Sequence, residues 1–156
     1  MKKLLFVLSI IALPLNAIAA DKPDKMSDST IDAAVKKFGP SFCAKTVDGI
    51  KEAAEKVYDC YQKTPKDNPD LEICFLGDNA VYTIIERVRN KSNSLGKNDP
   101  FGHIIFFSEP EILKRVKELQ IFSKYKNYTD EEKTKYQVKS IKDFINKANA
   151  SCNPSH

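Results

Sequence analysis

Four cysteines constrain this chain more than any other feature, because their pairing limits which segments can lie side by side. They stand at positions 43, 60, 74 and 152. An even number of cysteines in an exported chain predicts a disulfide framework. No two of them form a C-x-x-C pair, which disfavours both a zinc site and a redox-active dithiol. We therefore predict two structural disulfides.

The stretch before the first cysteine begins with the pattern of a cleaved signal peptide, residues 1–19. Lys2 and Lys3 form a short positive segment, an apolar run extends from Leu4 to Leu15, and an A-x-A cleavage pattern ends at Ala19. The apolar run is too short to span a membrane, which needs about 20 residues. No cysteine for lipid attachment stands at positions 16–21. The pattern predicts a periplasmic or secreted bacterial protein that keeps no membrane segment after cleavage.

The charge of the chain limits which partners it is expected to bind, and its length limits the number of domains. Removal of Lys2 and Lys3 lowers the formal charge from +4 to +2. With acidic residues interspersed throughout, so small a charge does not indicate binding to nucleic acid or to an anionic membrane. The remaining length suits one domain with its own core. We predict a loose N-terminal arm over residues 20–28, because it has no periodic apolar residue, and a single helical domain over residues 29–156.

Apolar periodicity predicts helices in the first half of the domain. A capping box at Ser29 begins a short first helix, which Gly39-Pro40 ends. A second, strongly amphipathic helix is predicted from Ser41 to Lys63, with apolar residues every three or four positions. Prolines and turn residues at 64–70 then connect it to a third helix from about Asp70 to Arg89. We expect a break or a kink in that third helix at residues 77–79.

The second half of the chain is also predicted to be helical. Residues 90–100 form the longest internal loop, and the dense apolar run 101–107 is either an extended strap or a helical turn. Ser108 begins a helix to about Ser123, and Thr129 begins the last helix, whose predicted apolar stripe is Val138, Ile141, Ile145 and Ala148. The predicted fold is all-α, a small disulfide-braced bundle of about five helices around a central helical hairpin.

Helix geometry ranks the three pairings that four cysteines allow. On one continuous helix, Cys43 and Cys60 would lie about 25 Å apart, beyond the reach of a disulfide. Cys60 and Cys74 are equally far from the centre of the turn at Asp67, so an antiparallel hairpin brings them level. We predict a Cys60–Cys74 bridge and, by elimination, a Cys43–Cys152 bridge that pins the C-terminal tail onto the start of the second helix.

Few residues are candidates for catalysis. His103 lies within the apolar run, where it more simply satisfies a buried carbonyl, and His156 is terminal. The acids Glu131 and Glu132 suit the first turn of a helix, and Asp78 lies beside the stripe of the third helix without a recognisable constellation. With all cysteines paired, no thiol nucleophile remains. The sequence predicts no enzyme, no cofactor and no metal site.

Two aromatic segments are the candidate binding surface. Amphipathic aromatics beside flexible cations suit protein recognition or glycan stacking. The alternative is that the phenylalanines close the core while the lysines face solvent. The candidate residues are Phe101, His103, Phe106, Phe107, Phe122, Tyr125, Tyr128, Lys124 and Lys126.

These features together predict a small exported helical binding protein. We expect it to act on a protein partner in the cell envelope as an inhibitor or an immunity-type protein. In class it resembles the small helical periplasmic immunity proteins, and no site residue is taken from that resemblance. The alternative is a carrier of a small apolar ligand with its pocket under residues 101–107. An enzyme with an unrecognised site is the third hypothesis.

Overall fold

The computed structural model describes residues 22–43, 46–96, 98, 100–101 and 105–152. Within these ranges the chain forms five α-helices and one 3-10 turn, Ile105–Phe107, and no strand. The prediction of an all-α, disulfide-braced bundle is confirmed. The predicted signal peptide lies outside the described residues. The helices are α1 (Asp28–Cys43), α2 (Val47–Lys63), α3 (Leu71–Ser94), α4 (Glu109–Glu118) and α5 (Asp130–Ser151).

One hydrophobic core joins the helices. α1 packs against α2, α3 and α5, while α2 packs against α3. The 105–107 turn and α4 lie on α3. The largest fully buried side chains include Phe38 of α1, Phe75 of α3 and Phe144 of α5. No helix in the described part of the chain is long and apolar enough to cross a membrane.

The boundary between the first two helices differs from the prediction. α1 continues through Gly39-Pro40 to Cys43, so these two residues do not end it. Gly39 is buried where α1 passes α5, and a Cβ there would meet Ser151 Oγ at an ordinary contact distance of 3.4 Å, so the position has room for an alanine. The predicted Ser41–Lys63 helix is wrong in its first turns. α2 begins at Val47, where Thr46 Oγ1 accepts a hydrogen bond from Gly49 N at 3.1 Å.

α3 is continuous from Leu71 to Ser94, so the expected break at residues 77–79 is wrong. Gly77 faces α1 and α2 instead, because a Cβ there would lie 2.7 Å from the ring of Phe38. The helix also extends into the predicted loop after Arg89. α4, in contrast, ends at Glu118, earlier than predicted. The chain leaves it through Gln120, which has a positive φ of 52°.

The last helix has the predicted start and a different buried stripe. Thr129 forms a complete capping box with Glu132. Val138 is 60% exposed, so its place in the predicted stripe is wrong. The stripe that α5 buries recurs every four residues, and it includes a serine that hydropathy alone does not select. Its members are Tyr136, Ser140, Phe144 and Ala148.

The described part of the N-terminal arm, residues 22–27, packs on α5, contrary to the predicted loose arm. Met26 is fully buried, and its backbone N–H donates to Ser140 Oγ at 2.8 Å. Lys25 Nζ lies 2.6 Å from Asp143 Oδ2. Met26 and these polar contacts together fix the arm, and one buried apolar residue produces no periodicity that a sequence pattern could detect.

Both predicted disulfides are confirmed. Cys60 and Cys74 join α2 to α3 across the hairpin, with Cα atoms 5.6 Å apart. Cys43 and Cys152, with Cα atoms 5.1 Å apart, join the end of α1 to the end of α5, and not the start of the second helix as predicted. The elimination step assumed a continuous helix through residue 43, which is wrong. The correct pairing follows from the symmetry of the hairpin alone.

Candidate functional site

The structure divides the predicted binding residues between the core and the surface. Phe101, Phe107 and Phe122 are buried in the hydrophobic core. Phe106, Tyr125 and Tyr128 are half-buried, and the two lysines are exposed. His103 lies outside the described residues. The ring contacts of the two segments are separate, because Phe106 meets Tyr58 and Tyr61 of α2 whereas Tyr125 meets Tyr128 and Tyr136, so they form two clusters.

The tyrosine cluster holds three parts of the fold together. The hydroxyl of Tyr125 donates to Glu72 Oε1 at 2.6 Å and hydrogen-bonds with the hydroxyl of Tyr136. Glu72 is buried, and Lys124 Nζ lies 3.1 Å from its carboxylate. Burial, followed by the hydrogen bond to Glu72, raises the pKa of Tyr125, and burial raises the pKa of Tyr136 to about 12. These neutral hydroxyls connect three parts of the fold: α3, α5 and the segment that follows α4. Their role is therefore structural.

Phe106 belongs to a different surface, a groove of about 560 Å³ between α2 and the 105–107 turn. We call it the α2 groove. It lies along the exposed side of α2, and of the α2 residues that line it Ala54 is buried. Its lining residues are Glu52, Ala54, Glu55, Lys56, Tyr58, Asp59, Phe106 and Phe107.

Aromatic rings form the apolar part of the α2 groove. Tyr58 is 49% exposed, and its ring meets that of Phe106 edge-on with centroids 5.5 Å apart. Phe106 also meets Phe107 edge-on at 4.9 Å. Ile105, the first residue of the turn, is 71% exposed. Large apolar groups exposed together are typical of an interaction surface.

Carboxylates form the polar part of the groove, and they differ in their partners. Glu52 pairs with Lys56 at 2.7 Å, and the hydrogen bond from Lys56 is the main cause that lowers the pKa of Glu52. Asp59 pairs with Lys63 at 2.6 Å. Glu55 has no ion pair or hydrogen bond to any side chain in the described ranges. The groove therefore presents one carboxylate that no other group of the described chain neutralises.

A buried ion pair supports the wall of the groove. Arg115 Nη2 donates to Asp78 Oδ1 at 2.9 Å and to Oδ2 at 2.7 Å, and its Nε donates to Oδ2 at 3.1 Å. The hydroxyl of Tyr61 donates to the same carboxylate at 3.0 Å. Asp78 is fully buried, and this burial raises its pKa to about 6 against the opposing effect of Arg115. The guanidinium carbon of Arg115 lies 3.7 Å from the centre of the Phe106 ring, so the pair connects α3 and α4 to the groove.

Sequence reasoning missed Arg115, Tyr58 and Glu55. Asp78 carried a usable signal, because an aspartate among the apolar residues of a buried helix requires a partner. Tyr58 follows the buried Val57 directly and is out of phase with the apolar stripe of α2. Nothing in the sequence distinguishes Glu55 from the other acids on that face.

Two of the acids singled out from the sequence have structural partners in the described ranges. Asp78 binds Arg115, and Glu132 binds both its own helix N-terminus and Lys22. Within the described ranges, no group of three or more histidines, cysteines or acids is placed to hold a metal ion. Comparison with known proteins finds no matching protein-family model, no matching curated protein and no matching solved structure.

Proposed function

We propose that this chain is an exported binding protein that acts without catalysis on a protein partner in the cell envelope, as an inhibitor or an immunity-type protein. The observation that carries the proposal is the α2 groove, where the exposed Tyr58 and the half-buried Phe106 line the same surface as the unpaired carboxylate of Glu55. Aromatic residues with a polar surrounding are enriched in the energetically important parts of protein interfaces. The groove is the surface through which we expect the partner to bind.

The scaffold makes this surface rigid. The Cys60–Cys74 bridge ties α2 to α3, and Phe106 is held against the buried guanidinium of Arg115. A surface that is already ordered loses less conformational entropy when it binds, which leaves more of the contact energy for affinity. Both walls of the α2 groove are therefore suited to recognise a partner without rearrangement.

The disulfides also support the proposed compartment. Two disulfides persist where the environment is oxidising, such as the periplasm or the medium. The signal-peptide pattern at residues 1–19 indicates the same destination. A partner in the envelope would meet the protein there.

Within the residues that the structure describes, which leave out 102–104, no observation favours the carrier hypothesis. Its pocket would lie under residues 101–107, and Phe101 and Phe107 are themselves part of the hydrophobic core. A reaction site is not favoured either, because Asp78 is already bound by three donor groups of Arg115 and Tyr61.

Site-specific photocrosslinking tests the proposal. Tyr58 is replaced by p-benzoylphenylalanine, and the protein is irradiated in the periplasm of living cells. We expect a discrete crosslinked protein that disappears when Phe106→Ser is added. Val138, which is 60% exposed on α5 outside the groove, carries the same label as the matched control. If positions 58 and 138 give the same crosslinks, or if neither gives any, the proposal is wrong.

A further inference from the structure

We infer that the α2 groove recognises an arginine side chain of the partner protein, with an apolar residue next to it in the partner's sequence. The inference rests on the proposed function, because it names the chemical group that the groove would bind. It is carried by three features of the groove: its local charge, its aromatic rings and the state of its carboxylates.

The local charge of the groove favours a cation. Its lining has three carboxylates and one ammonium group, that of Lys56. Lys56 is occupied by Glu52 at 2.7 Å and by Ser41 at 2.8 Å. The chain as a whole carries a formal charge of +4, so this negative surface is local to the groove. A cationic group is attracted here, and an acidic segment is repelled.

The aromatic rings favour a planar cation. Cations bind over the faces of aromatic rings, and arginine does so more often than lysine. Phe106 already stacks on one guanidinium, that of Arg115, at 3.7 Å. Tyr58 stands edge-on beside it and is half exposed. An arginine fork can lie against a ring and donate to a carboxylate at the same time, whereas the ammonium group of lysine is a compact point charge.

Two carboxylates are available to accept its hydrogen bonds. Glu55 has no partner in the described chain. Asp59 is paired only with Lys63, and both side chains are more than half exposed at 58% and 76%, so this pair is weak and exchangeable. Ile105, which precedes Phe106 in the turn, is 71% exposed and offers a contact for an apolar neighbour of the arginine.

A peptide titration tests the inference with defined probes. The oxidised protein, labelled with ¹⁵N, is titrated with the capped peptide Gly-Gly-Arg-Leu-Gly-Gly and with the same peptide containing citrulline. Citrulline has the shape of arginine without the charge. We expect saturable shifts at the amides of Tyr58, Asp59 and Phe106 with the arginine peptide. An ion pair and a cation–π contact together predict binding about tenfold weaker for the citrulline peptide.

Two matched variants test whether the carboxylate of Glu55 is the group that binds the arginine. Glu55→Gln should weaken the arginine peptide several-fold and leave the citrulline peptide unchanged. Glu131→Gln, in the first turn of α5 outside the groove, should change neither. Equal binding of the two peptides, or shifts confined to another surface, would overturn the inference. So would groove shifts that grow with protein concentration alone, because they would assign the groove to a second copy of this chain.

Failure of this inference can be distinguished from failure of the proposed function. A crosslinked partner at position 58 without a preference for arginine removes only the inference about chemistry. An arginine preference without any crosslinked protein removes the envelope partner and leaves the groove as a cation site.

Discussion

The buried pair of Asp78 and Arg115 should make stability depend on pH, and Arg115→Met isolates this effect. Methionine keeps much of the length of the side chain and removes its charge. Asp78 then loses the three hydrogen bonds from the guanidinium and keeps only the one from Tyr61. Breaking a buried ion pair by removing one partner costs about 3–5 kcal/mol, because the remaining charge is left uncompensated.

The sign of the pH dependence follows from the raised pKa. Burial raises the pKa of Asp78 from 3.8 to about 6 in the native protein. The folded state therefore binds this proton more tightly than the unfolded state, and stability falls as the pH rises through this window. A shift of about two units corresponds to roughly 3 kcal/mol. Arg115 opposes the shift, so its removal raises the pKa of Asp78 further and extends the loss of stability to higher pH.

Urea unfolding followed by circular dichroism at pH 4, 6 and 8 measures this effect, with the disulfides intact. The free energy of unfolding of Arg115→Met should be slightly below that of the parent protein at pH 4, and the difference should be largest at pH 8. The control is the double variant Asp78→Asn/Arg115→Met, which keeps an acceptor for Tyr61 and has no titrating group at position 78. It should recover most of the lost stability and lose the pH dependence. A deficit of Arg115→Met that is equal at all three pH values would refute the reasoning.

Three further predictions concern packing and crosslinks. Gly77→Ala should lower the free energy of unfolding by about 1–3 kcal/mol, because its Cβ would lie 2.7 Å from Phe38 and 2.9 Å from Val57. The control is Gly39→Ala, whose nearest new contact is 3.4 Å. It should change the free energy of unfolding, measured with urea, only a little. Met26→Ala should cost about 2–5 kcal/mol and release the arm, which limited trypsin digestion at Lys25 would detect, and an unchanged digestion rate would contradict it. Replacing the cysteines of the 43–152 bridge with serine should lower Tm more than replacing those of the 60–74 bridge. The bridges span 109 and 14 residues, and a bridge across a longer loop removes more chain entropy from the unfolded state. The opposite order of Tm values would contradict this account.

Local signals in the sequence were sufficient to predict the fold class and the disulfide pairing. The prolines between α2 and α3 and the capping box at Thr129 act within a few residues, so their effects are readable from the sequence. The symmetry of Cys60 and Cys74 about the turn is equally local. These features predicted the helical hairpin and its bridge correctly.

The helix boundaries that failed depend on contacts between distant residues. Gly39 and Gly77 have the sequence character of helix ends, and both lie inside helices where another helix passes close by. A glycine that permits close packing and a glycine that ends a helix are identical in sequence. Only the position of Phe38 and Ser151 in the fold separates the two cases.

The candidate site was predictable only in part for a similar reason. Phe106 was selected from the sequence because it lies in a dense apolar run. Arg115 was not, because the chain has 25 lysines and arginines and nothing local marks the one that pairs with Asp78. Tyr58 and Glu55 belong to a face of α2 that has the composition of an ordinary solvated surface. Their significance comes from the turn that packs beside them.

The groove and the core are coupled through one side chain. Phe106 lies in the wall of the groove, its ring rests on Arg115, and Arg115 is fixed by a fully buried carboxylate. A buried ion pair is seldom the most stable way to fill a core, since apolar residues of similar volume do as well or better. Its advantage here is geometric, because the bidentate contact fixes the plane of the guanidinium and so the position of Phe106. The cost of burying Asp78 thus accompanies a defined position for Phe106 in the proposed binding surface, and an apolar substitute would not position the ring in the same way.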